Sequence, residues 1–92
     1  MTTCEQELEL LVIIDGLQEE TGVAPDQGEI ISTVKAAMDL DFEGAMARFS
    51  GDFVGYLSRL CDKGLIDKTY KLAKTRWYCT DEGRRVIHEQ LD

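Results

Sequence analysis

Hydrophobic side chains between residues 50 and 63 follow the clearest periodic pattern in the chain. The apolar positions recur at the i, i+3, i+4, i+7 and i+8 spacing of one helical face and are Phe53, Tyr56, Leu57, Leu60 and Cys61. This spacing predicts an amphipathic helix with one buried side and one polar side. We expect Ser50 to be its N-cap and Gly64 to be the left-handed residue at its end.

Residues 65–80 have an extended rather than a helical pattern. β-Branched and aromatic residues flank a polar tip, which predicts a β-hairpin although no Asn-Gly or Asp-Gly pair marks its turn. Thr80 is followed by two acidic residues. This order predicts the N-terminus of a closing helix that runs to about Leu91.

The first predicted helix opens with a capping box of Thr3 and Gln6 and spans about residues 4–18. It is apolar around most of its circumference, and a helix of this kind is covered on most sides. Because 92 residues provide little protein to cover it, we expect a homodimer, the commonest soluble oligomer. The predicted dimer contacts on this helix are Leu10, Ile13, Ile14 and Leu17. The alternative is that the first helix is the centre of one chain's own core.

A second capping box, formed by Asp26 and Glu29, predicts another helix. Residues 23–25 before it are expected to be extended, because a residue preceding proline disfavours the helical conformation. Residues 39–49 keep a weaker helical spacing, with Asp41 as the candidate cap of a short helix.

The run LSRLCDKGLI followed by RWYCTDEGRRVI resembles the pattern xLxxLxxKGLI…RxYxLTxxGxxxL of the MarR, PadR and related bacterial and archaeal regulator families. The resemblance covers between a third and a half of the chain. It implies an α+β fold over residues 1–92: one winged helix-turn-helix domain with a three-helix core, a two- to three-stranded β-wing and a short C-terminal helix. In such a domain residues 23–25 would form a very short first strand that pairs with the hairpin. The terminal helix of related regulators often contributes to the dimer interface, so the resemblance also implies Ile87 and Leu91 as predicted dimer contacts. The chain departs from these families at residues 39–49, where they have only a tight turn.

Charge is divided unevenly along the chain, whose net charge is −8. Residues 1–47 have a net charge of −10, whereas residues 48–92 have a net charge of +2. Five bases and only one acid, Asp67, lie between Lys63 and Arg76. Because phosphate binding acts within a Debye length of about 8–10 Å, a basic edge can bind DNA on an otherwise acidic protein.

These patterns predict a transcriptional regulator that binds double-stranded DNA. A helix in the major groove would read bases through the polar residues Ser50, Asp52, Ser58, Arg59 and Lys63. The hairpin would hold phosphates through the basic residues Lys68, Lys71, Lys74 and Arg76. Arg59 is the best candidate for a base contact, since its guanidinium can bond guanine O6 and N7 together. The alternative for the lysines is a solvated edge that resists aggregation.

A second hypothesis is a winged helix that contacts a protein and does not bind DNA. The bases Arg59 and Lys63 are balanced by Asp52 and Asp62, so the predicted recognition helix is neutral overall. The acidic first half of the chain or the hairpin would then dock the partner. Trp77 and Tyr78 of the hairpin, if exposed, would be anchors in such a contact, although we expect them to pack on the core.

Catalysis has little support in the sequence. No Ser/His/Asp arrangement, glycine-rich phosphate loop or HExxH motif occurs, so we do not expect an enzyme. Cys4, Cys61 and Cys79 are widely spaced, and His88 is the only histidine, so we expect no disulfide framework, metal site or cofactor. A third possibility, added to DNA binding, is that Cys61 or Cys79 responds to oxidation or to a metal.

Composition places the chain among folded globular proteins, with 43% hydrophobic and 30% charged residues. Its longest apolar run, residues 10–14, is too short to cross a bilayer. The first residues carry acids where a secretory signal carries bases, so we expect a cytoplasmic protein without a membrane partner.

Overall fold

The computed structural model describes residues 3–91. Within them the chain is a small α+β fold of five helices and one two-stranded antiparallel sheet. The elements are, in order, α1 (Glu5–Thr21), α2 (Gln27–Met38), α3 (Phe42–Arg48), α4 (Phe53–Asp62), β1 (Ile66–Lys71), β2 (Lys74–Cys79) and α5 (Asp81–Leu91). The α+β class is therefore confirmed, and four helices rather than three precede the hairpin.

The N-terminus of α1 differs from the predicted one. Cys4 is the N-cap, and the Cys4 backbone N–H donates to Glu7 Oε1 at 3.1 Å, so the predicted capping box of Thr3 and Gln6 is wrong. The second capping box is confirmed, because Asp26 is the N-cap of α2 and its Oδ1 accepts from the Glu29 backbone N–H at 2.9 Å. Both helices thus begin at a reciprocal pair of bonds that satisfies otherwise unpaired N–H groups.

The additional helix, α3, occupies the stretch with the weakest periodicity. Asp41 caps it as predicted, accepting a 2.7 Å hydrogen bond from the Gly44 backbone N–H. Ser50 has a left-handed backbone, with φ 55°, and lies in the turn between α3 and α4. Asp52 is instead the N-cap of α4, so the prediction for Ser50 as cap is wrong. The physical reason is that a capping residue needs an extended or bridging backbone, which Ser50 lacks.

Helix α4 ends as the sequence predicted. Gly64 has φ 74°, and its N–H donates to Cys61 O at 3.0 Å while the Leu65 N–H donates to Leu60 O at 3.0 Å. These two bonds define a Schellman motif, in which glycine avoids the steric penalty of the left-handed backbone. The motif turns the chain directly from α4 into the hairpin.

One hydrophobic core holds the helices and the hairpin together, and α1 lies at its centre. The buried apolar residues are Leu10, Leu11, Ile14, Ile30, Val34, Ala45, Phe49, Phe53, Leu57, Leu60, Leu65, Ile66 and Cys79. Helices α2, α4 and α5 and strand β2 all pack against α1. This corrects the predicted dimer contacts, because Leu10 and Ile14 have no exposed surface and cannot meet a second chain in this conformation.

The hairpin is antiparallel, with Ile66 paired to Cys79 at its base and Lys71 paired to Lys74 at its end. The turn contains only Leu72 and Ala73, whose φ values are 55° and 63°. On its other edge, β2 is joined by the extended segment before α2, since the Trp77 N–H donates to Pro25 O at 3.0 Å. The predicted pairing of that segment is therefore confirmed, as an isolated bridge rather than a strand.

Helix α5 begins where predicted, because the Thr80 hydroxyl accepts a 3.0 Å bond from the Gly83 backbone N–H. Gly83 is buried against the loop after α4, and a Cβ there would lie 2.2 Å from the Leu65 carbonyl oxygen. This close approach requires glycine and seats α5 against the base of the hairpin.

Candidate interaction surface of α4 and the hairpin

Helix α4 presents a mixed polar and apolar face to solvent beside β1. Ser58 and Arg59 are exposed, as are Asp52 and Asp62, and the Val54 side chain is 53% exposed. The Arg59 guanidinium carbon lies 4.2 Å from the centroid of the Tyr56 ring. This cation–π contact orients Arg59 without taking up its hydrogen-bond donors. Of the residues predicted to read bases, Ser58, Arg59 and Asp52 therefore lie on the open face of α4.

Lys63 does not lie on that open face. Its Nζ donates to both carboxylate oxygens of Glu7, each at 2.9 Å, so its charge is directed onto α1. The Glu7 side chain is only 5% exposed. Burial raises the pKa of Glu7, but hydrogen bonds from Lys63 and Cys4 outweigh it and bring that pKa below its ordinary value. Lys63 is therefore a structural partner of Glu7, which corrects its predicted place in the recognition surface.

The four basic residues of the hairpin differ in their availability. Lys68 and Lys71 are exposed, and within residues 3–91 neither ammonium group has a carboxylate partner. Lys74 is 63% exposed and forms a 3.2 Å ion pair with Asp26.

Arg76 is held inside the fold, with a side chain only 11% exposed. Its guanidinium donates to the Lys71 carbonyl at 2.9 Å, the Ala24 carbonyl at 3.0 Å and Glu29 Oε1 at 3.2 Å. These bonds join the hairpin to the segment before α2. The predicted phosphate contact of Arg76 is therefore corrected: its donors are used within the chain.

A groove of about 260 Å³ separates α4 from the hairpin. Val54, Ser58 and Cys61 line one side, and Lys68 and Trp77 line the other. The Trp77 ring is partly buried against the core, as expected for an aromatic residue on this hairpin. Asp62 also lines the groove, so the surface that joins the helix and the hairpin has an apolar floor and carries one acid and one base.

The thiols of Cys61 and Cys79 lie in environments that favour the protonated form. Burial raises the pKa of Cys79 to about 11, and burial also raises the pKa of Cys61. Both thiols are therefore protonated at neutral pH, whereas the reactive form is the thiolate. Across residues 3–91 no group of three His, Cys, Asp or Glu side chains could hold a metal ion.

The remaining predicted dimer residues lie around the core. Ile13, Leu17 and Ile87 are partly buried against it, and the side chain of Leu91 lies outside the described residues. The sequence reasoning missed an apolar groove of about 390 Å³ between α1 and α2, lined by Leu8, Val12, Ile13, Ala37 and Met38. The i, i+4 spacing of Leu8 and Val12 could have predicted this groove. It was not distinguishable in the sequence, because the predicted first helix is apolar on most sides.

A second missed feature is the end of the hairpin, where Tyr70 is 74% exposed and Leu72 is 67% exposed. The extended pattern predicted the hairpin but not that these large side chains would find no cover.

In the part of the chain that the structure describes, no helix has the length and apolarity needed to cross a bilayer. No family model, curated protein or solved structure matches this chain.

Proposed function

We propose that the chain is a winged helix-turn-helix domain that binds double-stranded DNA as a transcriptional regulator. Helix α4 would be the recognition helix and the β1–β2 hairpin the wing, with the bridge at Asp26 in place of a third strand. A helix of this size fits the major groove, and a neighbouring hairpin can follow the DNA backbone or the minor groove.

The observation that carries the proposal is the joint exposure of cations on α4 and on the strand packed against it. Arg59 projects from α4, and Lys68 lines the groove beside it. Lys71, three positions further along β1, lies on the opposite face of the hairpin with Thr69 and Tyr78. Arg59 would bond a guanine edge, whereas the two lysines would hold phosphates and fix the position of the domain. Ser58 lies one residue from Arg59 and offers a second group for base contact.

The structure also reduces the number of phosphate contacts that the proposal can use. Lys63 and Arg76 are bound within the chain. Among residues 3–91, the cations of α4 and the hairpin without a carboxylate partner are Arg59, Lys68 and Lys71. Each phosphate contact contributes about −0.9 to the slope of log affinity against log salt, so we expect about −2 to −3 per chain. Such binding is weak for one copy, and a regulator would need two copies on its site.

The test is duplex DNA binding at several salt concentrations with two variants and one control. Replacing Lys68 and Lys71 together by Ala should weaken binding to all duplexes and bring the slope closer to zero by about 2. Arg59→Ala should weaken the preference for one base at one position of the site, with a loss of about 1–3 kcal/mol in discrimination against the other bases. Lys35→Ala, on α2, removes a positive charge elsewhere and should leave the slope unchanged. Absence of any duplex binding by the wild-type chain at low salt would rule out the proposal.

The second candidate is a protein-interaction module, and one observation favours it. Val54, Tyr70 and Leu72 are large apolar side chains exposed on α4 and the hairpin, and exposed apolar groups on one surface are typical of protein contacts. In that case a Tyr70→Ser and Leu72→Asn double variant would lose partner binding, and duplex DNA would not compete.

A further inference from the structure

The outer edge of β1 has no strand beside it. The sheet contains only β1 and β2, and the segment before α2 joins β2 on its other side through the Trp77 N–H and the Pro25 carbonyl. Among residues 3–91, neither a strand nor an isolated bridge pairs with β1 along its outer side. Such an edge presents a row of N–H and C=O groups and is a template for a further strand.

The register of the hairpin shows which backbone groups face that edge. Opposed residues of an antiparallel pair alternate between pairs that exchange hydrogen bonds and pairs that do not. Trp77 directs its N–H away from β1, so its pair with Lys68 is of the second kind. The backbone groups of Lys68 and, two residues further on, of Tyr70 therefore face outward. In agreement, the Lys68 N–H donates to the Asp67 carboxylate at 2.8 Å and not to β2.

The same strand carries charges that the chain leaves uncompensated. Lys71 lies opposite Lys74 across the hairpin, and like charges directly opposite each other destabilise a sheet. Lys74 is compensated by its 3.2 Å ion pair with Asp26. Within residues 3–91 neither Lys71 nor Asp67 takes part in an ion pair, and both residues are exposed. Each of these two charges is therefore available to a partner outside the chain.

We propose that the β1 strands of two copies of this chain pair edge to edge, in antiparallel register about Thr69, and form a four-stranded sheet. Asp67 then lies opposite Lys71 of the second copy, and the two-fold axis repeats this pair. Lys68 and Tyr70 of the two copies exchange the new backbone hydrogen bonds, and the Asp67 carboxylate leaves the Lys68 N–H for the Lys71 ammonium. The stem of Lys68 covers part of the Tyr70 ring, which is 74% exposed in one copy.

Charge selects this register from the two-fold registers that the strand allows. A centre on Asp67, Lys68 or Lys71 would oppose two like charges. A centre on Tyr70 would place Asp67 beside the turn of the second copy, without a cation opposite it. Only the centre on Thr69 brings unlike charges together. The strand is thus complementary to itself, which favours a second copy over an unrelated extended segment.

The contact is closed and small. The outer strands of the new sheet are the two β2 strands, each already joined by the segment before α2, so growth stops at two copies. A strand of six residues buries little surface, so association should be weak and depend on concentration. The pairing does not rest on DNA binding. Because Lys68 and Lys71 also belong to the proposed DNA surface, bound DNA would compete with it.

The experiment is sedimentation equilibrium of the purified chain up to about 1 mM, the weak limit of specific association. Asp67→Lys and Lys71→Glu each place like charges opposite each other twice in the dimer. Either variant alone should therefore raise the dimer dissociation constant by about tenfold or more. An equimolar mixture of the two variants should form heterodimers, because both pairs then join unlike charges. The variant that combines the two changes should dimerise by itself for the same reason.

Two further measurements locate the contact. Lys35→Glu, on α2, makes the same change of charge as Lys71→Glu away from β1 and should dimerise like the wild-type chain. Hydrogen exchange of the Tyr70 N–H should slow as the concentration rises, whereas the Thr69 N–H, which faces β2, should be protected at every concentration. Circular dichroism of each variant checks that the fold is retained.

A wild-type chain that stays monomeric at the highest concentration would overturn the proposal and leave the edge to an extended segment of another protein. Undiminished dimerisation of either single variant would also overturn it, because the contact would then lie elsewhere. A mixture that gives no heterodimer, or wild-type assemblies larger than a dimer, would contradict the closed register about Thr69.

Discussion

Identical side chains have different roles in this protein because their neighbours differ. Lys63 donates to buried Glu7 and Arg76 donates to three oxygens of the chain, whereas Lys68 and Lys71 extend into solvent. In the sequence these bases appear equivalent, since all lie in one basic run. A charge that neutralises a buried acid is not available to a phosphate. The electrostatic surface is therefore set by pairing rather than by the number of lysines and arginines.

The Glu7–Lys63 pair predicts a specific dependence of stability on pH. The pKa of Glu7 in the folded chain lies below its ordinary value of 4.5, so its stabilising effect is complete above that value and is lost as pH falls through the folded pKa. Glu7→Gln should therefore reduce the free energy of unfolding by about 1–3 kcal/mol at neutral pH. The difference between variant and wild type should shrink below pH 4.5, as measured by urea unfolding.

The matched control is Glu20→Gln, which changes an exposed acid of the same helix. It should have a small effect that does not follow the pH profile of Glu7→Gln. An equal loss of stability for Glu7→Gln in acid and at neutral pH would contradict the assigned ion pair.

The thiols should differ in their rates of alkylation. Cys4 is exposed, Cys61 is partly buried, and Cys79 is buried with a pKa raised to about 11. At pH 8 about one Cys79 in a thousand is then a thiolate, so its reaction is slow even before access is considered. Mass spectrometry of the chain treated with iodoacetamide should detect labelling of Cys4 first and of Cys79 only on unfolding. Early modification of Cys79 would contradict its burial.

The hairpin and α4 form a unit whose two ends are built differently. At the base, the Schellman motif at Gly64 and the close approach at Gly83 use glycine where the backbone requires it. At the tip, Leu72 and Ala73 adopt the left-handed conformation with side chains that disfavour it. Local chemistry thus supports the base, while pairing of the two strands holds the tip in place.

Replacing the turn residues should stabilise the hairpin. A Leu72→Asn and Ala73→Gly double variant supplies the pair that two-residue hairpin turns prefer and removes an exposed apolar side chain. We expect the free energy of unfolding to rise by about 1–2 kcal/mol, measured by urea unfolding. Exchanging the order, with Gly at position 72 and Asn at position 73, should stabilise less because the turn preference is positional. Destabilisation by the Asn-Gly variant would mean that Leu72 contributes packing within its own chain.

Acidic charge is concentrated on α1, which contains six acidic residues and no basic residue. Helix α1 has no base in its last turn, where the helix dipole is negative and acids are unfavourable. Ion pairs add to the hydrophobic packing of α1, and one of them, Arg84–Asp15 at 3.2 Å, joins it to α5. The remaining acids at that end, Glu19 and Glu20, are exposed.

Neutralising this end of α1 should stabilise the whole chain. Changing Glu19 and Glu20 to Gln removes two charges from the unfavourable end of the helix dipole and reduces the net charge to −6. The expected gain is about 0.5–2 kcal/mol at low ionic strength, and it should diminish in molar salt, where screening is strong. Glu89→Gln is the control, since that acid has an ion pair with Arg85 and its removal should give no gain. A gain independent of salt would indicate helix propensity rather than charge.

The sequence alone predicted most of the elements, because periodicity and capping are local properties. The buried face of α4, the caps Asp26, Asp41 and Thr80, and left-handed Gly64 can each be found within a few neighbouring residues. The prediction from the sequence failed at Ser50. The side chains of Ser50 and Asp52 could each cap the start of α4, and only the path of the turn between α3 and α4 selects Asp52.

Only the tertiary structure decided which surfaces are available. Contacts between residues distant in the chain bury Leu10 and Ile14 in the core. Such contacts also pair the Lys63 ammonium with the Glu7 carboxylate, and the Arg76 guanidinium with the Ala24 carbonyl oxygen. Among residues 3–91 they also leave open the groove between α1 and α2 and expose Tyr70 and Leu72 at the end of the hairpin. The physical reason is that secondary structure follows from interactions over a few residues, whereas burial and charge pairing follow from which segments meet in space.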